Sequence, residues 1–301
     1  MSTEDRLVLV TGATGRQGGS VTRHLLSKGW RVRALTRNRN QEAVHKLIQM
    51  GAEVIEGDLY SRPSLDRAVR GVYGVFSVQN YWEHGYEGEV KQGKNLADAA
   101  KTAQVQHYIQ STVGGADRHT GIPHFESKWE IEQYVRGLGL PLTILRPVYF
   151  MDNFLSPGDL QDISNGKLIR PLHITVLLQM IAVDDIGALA ALAFENRDEY
   201  LGQALEIAGD EMTMPHAASI FGRAIGHPVF YEEASVMEMR RTNPEAAAMW
   251  EWLNEKEGYQ VNISALRKRY PALLTLEAWL RKIDFATIAR KQEAKERIAT
   301  H

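Results

Sequence analysis

The sequence predicts an α/β protein: a doubly wound parallel sheet with helices on both faces, and a smaller, interleaved C-terminal α/β lobe. Three observations predict it. Short apolar runs alternate with helix-periodic segments at βαβ spacing through the first half of the chain. A glycine-rich turn, Gly12-x-x-Gly15-x-x-Gly18, follows the first run and precedes a helix pattern. Beyond Asn153 the rhythm changes with no internal repeat and no low-complexity linker, so the second lobe is expected to interleave with the first.

In order, the strand Leu7–Val10 leads into the glycine turn, and residues 21–27 form a helix that Gly29 ends. Residues 31–35 read as the second strand, 41–49 as a helix and 53–57 as the third strand. A helix over 61–69 takes Ser61 as its cap and Pro63 in its first turn. The fourth strand covers 72–78 and the next helix 90–102. The strand His107–Ser111, a helix over 125–138 and a strand over 142–145 complete the alternation. In the later part, 182–195 is a strand edge running into an alanine-rich helix capped by Asp184 or Asp185. A strand over 204–208 and a helix over 214–224 follow, then one or two helices within 236–257, and a charged, partly exposed helical tail over 286–299.

Composition narrows the function classes. Lys plus Arg total 35 and Asp plus Glu 37, a formal net charge of -2, which gives no electrostatic case for direct nucleic-acid or membrane binding. With no cysteine there is no disulfide framework and no thiolate metal site, and a reducing compartment is expected. The N-terminal apolar run is too short for a signal sequence, and no apolar stretch approaches the ~18 residues of a membrane span, so the expected location is cytoplasmic. The ten histidines are scattered without ligand spacing, and no metal is expected.

The glycine turn is the layout that holds a dinucleotide pyrophosphate in a Rossmann-type fold. Glycine permits the tight turn and the close backbone approach, and the helix start offers N–H groups to the anion. The second strand ends in Thr36-Arg37-Asn38-Arg39, with no acid for a ribose 2′-hydroxyl. Arg37 can stack on adenine and pair with a 2′-phosphate, Arg39 or Arg16 adding charge, which points to NADP(H); the alternative is a solvated basic turn. Asp58 after the third strand either bonds the adenine edge or shapes a turn. The fourth strand ends in Gln79-Asn80-Tyr81-Trp82, at the sheet edge where ligands sit. Ser111 ends the fifth strand and Lys128 follows on the next helix, as in a short-chain dehydrogenase/reductase site. There a Tyr four residues before the Lys is the general acid; here that residue is His124. Lys128 can still bind the nicotinamide ribose, and the alternative is an exposed helical lysine.

Thr11-Gly12-Ala13-Thr14-Gly15-Arg16-Gln17-Gly18, Gly57-Asp58, Asn80-Tyr81-Trp82-Glu83, Glu89-Val90-Lys91-Gln92-Gly93, His124-Phe125-Glu126-Ser127-Lys128 and Arg146-Pro147 with Phe150-Met151-Asp152-Asn153 together resemble the NmrA-like family, atypical short-chain dehydrogenases/reductases that include NADP(H)-binding redox sensors. The resemblance implies one NmrA-like unit, with an NAD(P)-binding domain over 1–153 and a substrate or partner lobe over 154–301, some of whose strands and helices return to the Rossmann core. It implies that Gly12, Ala13, Thr14, Gly15, Arg16, Gln17 and Gly18 hold the pyrophosphate, Arg37 the 2′-phosphate, and Asp58 and Leu59 the adenine. Gln79, Asn80, Tyr81, Lys91 and Lys128 fall on the ribose and nicotinamide side, with Phe150 and Asn153 closing over the nicotinamide. The function it implies is a redox-responsive sensor or regulator, with a regulatory protein partner and a possible homodimer. The alternative is an NADPH-dependent reductase of a quinone or small carbonyl compound, with Lys128, His124 or Tyr149 as proton source.

Overall fold

The computed structural model describes residues 6–255 and 258–299. The chain opens with β1 (Leu7–Val10), α1 (Arg16–Ser27), β2 (Arg31–Thr36), α2 (Glu42–Gln49), β3 (Glu53–Glu56), α3 (Arg62–Ala68) and β4 (Gly74–Ser77). It continues through α4 (Tyr81–Thr102), β5 (His107–Ser111), α5 (Pro123–Gly137) and β6 (Leu142–Pro147). Next come β7 (Tyr149–Phe150), α6 (Pro157–Ser164), β8 (Lys167–Arg170), β9 (Leu177–Ile181), α7 (Val183–Glu195), α8 (Arg197–Tyr200) and β10 (Ala204–Ile207). The remainder holds β11 (Asp210–Thr213), α9 (Met214–Ile225), β12 (Phe230–Glu233), α10 (Val236–Thr242) and α11 (Pro244–Glu255). Last are α12 (Ile263–Arg269), α13 (Leu276–Lys282) and α14 (Phe285–Ala299). The last two residues of the expected 236–257 helical stretch, and the first five of the chain, lie outside the described residues.

Two compact units result: Met1–Pro147 with Val183–Glu206, and Val148–Ala182 with Ile207–His301. Residues 183–206 thus return to the first unit.

The first unit is a seven-stranded sheet in the order β10-β6-β5-β4-β1-β2-β3 among the described residues, and β1 to β6 pair parallel throughout. Every residue of β1 is buried, as a strand covered by helices on both faces requires. The chain moves outward from β1 to β3, then returns to β4 on β1's other side. That reversal makes the carboxyl end of β1 a topological switch point, where the side chains after β1, β2, β4 and β5 converge. α7 packs on α1 so closely that a Cβ at Gly187 would stand 2.6 Å from the Ser20 carbonyl carbon. Beside that contact, His24 Nε2 lies 3.0 Å from Asp184 Oδ1. Trp30, almost fully buried, packs against Tyr73 and Phe194 at 5.8 and 5.9 Å.

Several boundaries differ from expectation for physical reasons. α1 starts at Arg16 rather than 21, because the glycine turn closes within one bond, from Gly15 N to Gly12 O (2.9 Å). α4 starts at Tyr81 rather than 90, with a break at Gly85 (φ 64, ψ -173) between its first turn and its long body. Ser61 stands at the N-cap of α3, but its side chain makes no capping bond; the Ser64 hydroxyl instead donates to the Ser61 and Asp58 carbonyls. Asp184 and Asp185 are not caps of α7: the helix begins at Val183 and both sit in its first turn, where acids complement the helix dipole.

The second unit holds a three-stranded sheet, β11-β9-β7, and a two-stranded parallel pair, β12-β8, with helices. Its centre is aromatic: Phe154 packs on Phe221 at 5.0 Å, and Phe221 on Phe285 at 5.2 Å. Among the described residues no helix is long and apolar enough to cross a membrane.

Candidate functional site

The switch point is built around the turn between β1 and α1. Thr11 ties it to the neighbouring strand: its hydroxyl donates to the Val78 carbonyl (3.0 Å) and accepts from the Val78 N–H (2.9 Å). Gly12 sits at φ +59, in the left-handed region that favours glycine. At Gly18 a Cβ would fall 2.4 Å from both the Thr11 and Gly12 carbonyl oxygens, so only glycine lets α1 seat against the turn. Gly12, Thr14, Gly15 and Arg16 are exposed over a buried Ala13, which presents the turn's backbone and the first turn of α1 outward. The first N–H groups of a helix have no intrahelical partner, and this cradle fits a pyrophosphate.

Toward β2 and β3 stand Arg37, Asp58 and Leu59. The exposed Arg37 guanidinium pairs with Glu83 Oε1 at 2.6 Å, and this bond holds the Glu83 carboxyl below its usual range. Asp58 Oδ1 accepts from the Tyr60 N–H (2.9 Å), the turn-shaping alternative, and the Leu59 carbonyl is bonded by Asn95 Nδ2 (2.9 Å). On the other side of β1, Gln79 donates to Ser77 Oγ (2.9 Å) and accepts from Gln110 Nε2 (3.1 Å), while Asn80 precedes α4. Lys91 stands apart on the exposed face of α4, its ammonium 5.8 Å from the Tyr60 ring centroid.

The residues expected to carry chemistry are all engaged. Ser111 Oγ donates to Gln17 Oε1 at 2.7 Å, joining β5 to the glycine turn. His124 is buried in an aromatic cluster with Tyr81, Trp82 and Phe125, ring centroids 5.0–5.6 Å away. Burial, with the Lys128 charge beside it, pushes the imidazole down to about 4, so it is neutral at pH 7. A ring held neutral at pH 7 is a poor proton donor, unlike the tyrosine of a short-chain reductase. Lys128 is not an exposed helical lysine: Nζ lies 2.5 Å from Oε1 of Glu89, which is 1% exposed and also accepts from Ser127 Oγ at 2.5 Å. Glu83 and Glu89 fall within motifs that the sequence displays, yet neither had an expected role. Their partners come from the turn after β2 and from α5, and only the packing reveals them.

Behind the site, Glu132 takes a forked pair of bonds from Arg146 (3.0 and 2.7 Å) and a third from the Thr112 hydroxyl (2.7 Å). Arg146 also reaches Asp117 Oδ2 at 2.5 Å. This network fixes the loop that follows β5.

Tyr149, Phe150 and Asn153 belong to the second unit. There Tyr149 Oη accepts from Arg170 Nε at 3.3 Å, Phe150 lies in β7, and Asn153 lies in a short 3₁₀ turn. Among the described residues no group of three or more His, Cys, Asp or Glu could hold a metal ion.

A parallel sheet reversed about β1, with a glycine at position 18 where no Cβ fits, defines a Rossmann-type α/β fold. Comparison narrows the class: the chain belongs to the NmrA-like family, whose model matches residues 4–280. It is 28% identical over 298 residues to an NmrA-like family domain-containing protein of Dictyostelium discoideum, covering 92% of this chain and 98% of that one. It is 31% identical over 234 residues to the (4-alkanoyl-5-oxo-2,5-dihydrofuran-3-yl)methyl phosphate reductase of Streptomyces griseus, covering 76% and 78%. Its fold matches that of NmrA, a negative transcriptional regulator, in complex with NADP, with a TM-score of 0.77 at 21% identity over 96% of this chain and 97% of that one.

Proposed function

We propose that the protein binds NADP(H) and works as a redox-responsive regulator, its output being dinucleotide occupancy rather than turnover. One observation carries this reading: His124, where a short-chain reductase places its acid, is a buried, neutral ring, and Ser111 and Lys128 are committed to Gln17 and Glu89. The binding half rests on the glycine cradle and on Arg37, and the NADP complex of NmrA agrees with it. The regulator would pass occupancy to a protein partner, and the shift it transmits is bounded by the dinucleotide's differential affinity for the two partner-binding states.

The second reading is an NADPH-dependent reductase of an acceptor that needs no side-chain acid, such as a quinone. The exposed Trp82 ring, 5.1 Å from His124, favours it as a flat wall, and the Streptomyces relative is a reductase. Following NADPH absorbance against a quinone panel separates the two. Absence of turnover alongside micromolar NADPH binding supports the regulator, and turnover lost in Lys128→Ala supports the reductase.

Two substitutions test the dinucleotide assignment. Arg37→Ala removes a charge-assisted bond worth about 1.5–3 kcal/mol, so NADPH should bind roughly 10–100-fold more weakly while NADH is unchanged. Equal losses for both dinucleotides in calorimetric titration would refute a 2′-phosphate role. Gly18→Ala should lower NADPH affinity at least tenfold and destabilise the fold by about 1–3 kcal/mol, because the new methyl group meets backbone. Gly137→Ala, where a Cβ meets nothing within 4 Å, is the control and should leave both properties intact.

A further inference from the structure

We infer that Glu89 sets the protein's preference between the oxidised and reduced dinucleotide by balancing the charge of Lys128; this rests on the NADP(H) reading above. The sheet order puts Arg37 and Asp58 on one side of the glycine turn, and β4, β5 and the start of α5 on the other. With the 2′-phosphate at Arg37, the nicotinamide half extends toward β5 and Lys128. The nicotinamide ring carries a positive charge when oxidised and none when reduced. An uncompensated ammonium beside it therefore opposes NADP⁺ and leaves NADPH almost untouched.

Glu89 supplies the compensation. It is 1% exposed on α4, and each carboxylate oxygen has one short bond: Oε1 to Lys128 Nζ and Oε2 to Ser127 Oγ, both 2.5 Å. The lysine side chain, 18% exposed, is the end of the pair that reaches the surface. A buried carboxylate carries a desolvation penalty that a lysine with access to water does not need a partner to avoid. The acids of α5 have partners of their own. Glu126 accepts from the Gly121 N–H, Glu130 pairs with Lys94 and Tyr86, and Glu132 pairs with Arg146. Glu89 is thus the carboxylate bonded to Lys128, and the pair presents nearly zero net charge where the ring's charge changes.

The test is the ratio of the dissociation constants for NADP⁺ and NADPH, measured by calorimetry on the full chain. Glu89→Gln keeps the shape and the hydrogen-bonding oxygen but removes the charge. It should raise the ratio about three- to tenfold, and tenfold corresponds to about 30 mV in the potential of the bound two-electron couple. Lys128→Met leaves the carboxylate alone and should move the ratio in the opposite direction. Binding of adenosine 2′,5′-bisphosphate, which lacks both the nicotinamide and its ribose, should stay within twofold in both variants; a merely structural role would weaken it as well. Ratios that stay put, or that move the same way in both variants, overturn the inference while the NADP(H) reading stands. A wild-type chain that binds neither dinucleotide overturns both.

Discussion

Stability should fall by roughly 6 kcal/mol as the pH drops from 7 to 4, through His107 and His124. Each is buried and each is pushed down to about 4 from an ordinary 6.5, by burial first and then by a nearby cation, Arg197 for His107 and Lys128 for His124. The hydrogen bonding of the rings reinforces the effect of burial. Thr143 gives its one hydroxyl proton to the Tyr200 carbonyl, so His107 Nε2 must be the donor in its 2.8 Å bond to Thr143. Nδ1 of both rings is buried and has no hydrogen-bond partner, so an added proton would find no acceptor. Between pH 6.5 and 4 the unfolded chain binds protons at both residues and the native chain does not. Stability is therefore complete above pH 6.5 and declines toward pH 4, at about 1.4 kcal/mol per pH unit per ring. Urea midpoints at pH 7, 5.5 and 4.5 measure the decline. His124→Phe, which keeps a flat ring in the aromatic cluster, should remove about half of it. Midpoints that do not move over this range would rule the effect out.

Glu132→Ala should destabilise the first unit by about 3–5 kcal/mol, because it strands the Arg146 guanidinium in a buried place. Glu132 is 0% exposed and Arg146 5%, and Asp117, the remaining acid on Arg146, is exposed. The substitution also leaves the Thr112 hydroxyl without its acceptor. A double replacement, Glu132→Leu with Arg146→Met, removes both charges and should recover much of the loss, as apolar substitutes for buried pairs commonly do. Denaturant unfolding of the single and double variants decides this, and a single-variant loss below about 1 kcal/mol would show the network to be dispensable.

Local signals in the sequence reach the elements and the phosphate cradle. Leu7–Val10 reads as a strand buried on both faces, and Gly12, Gly15 and Gly18 read as a tight turn with close backbone approach, because both are properties of adjacent residues. The first turn of α4 was not legible, since Gly85 and the aromatics around it resemble a loop; the break at Gly85 separates that turn from the rest of the helix. His124 was legible as a departure from tyrosine, but its neutrality depends on Tyr81 and Trp82, more than forty positions upstream. The pairs Arg37–Glu83 and Lys128–Glu89 were hidden for the same reason: a lone acid on a helix gives no local sign of its partner. Interleaving itself was expected from the missing linker, but which segment returns was not legible, because an alanine-rich helix fits either lobe; 183–206 is the one that joins the first unit.

That interleaving also governs the order in which the molecule can be made. The helix that follows the glycine turn finishes its packing only against α7, where Gly187 admits the Ser20 backbone and Asp184 meets His24. Those partners are about 160 residues apart, a separation that loop-closure entropy makes slow to bridge. During synthesis the phosphate cradle therefore emerges first and is braced late, after the strands of the second unit that precede α7 have left the ribosome. Until then the apolar face of α1 has no cover from α7, and this is the interval in which the nascent chain is most exposed to aggregation.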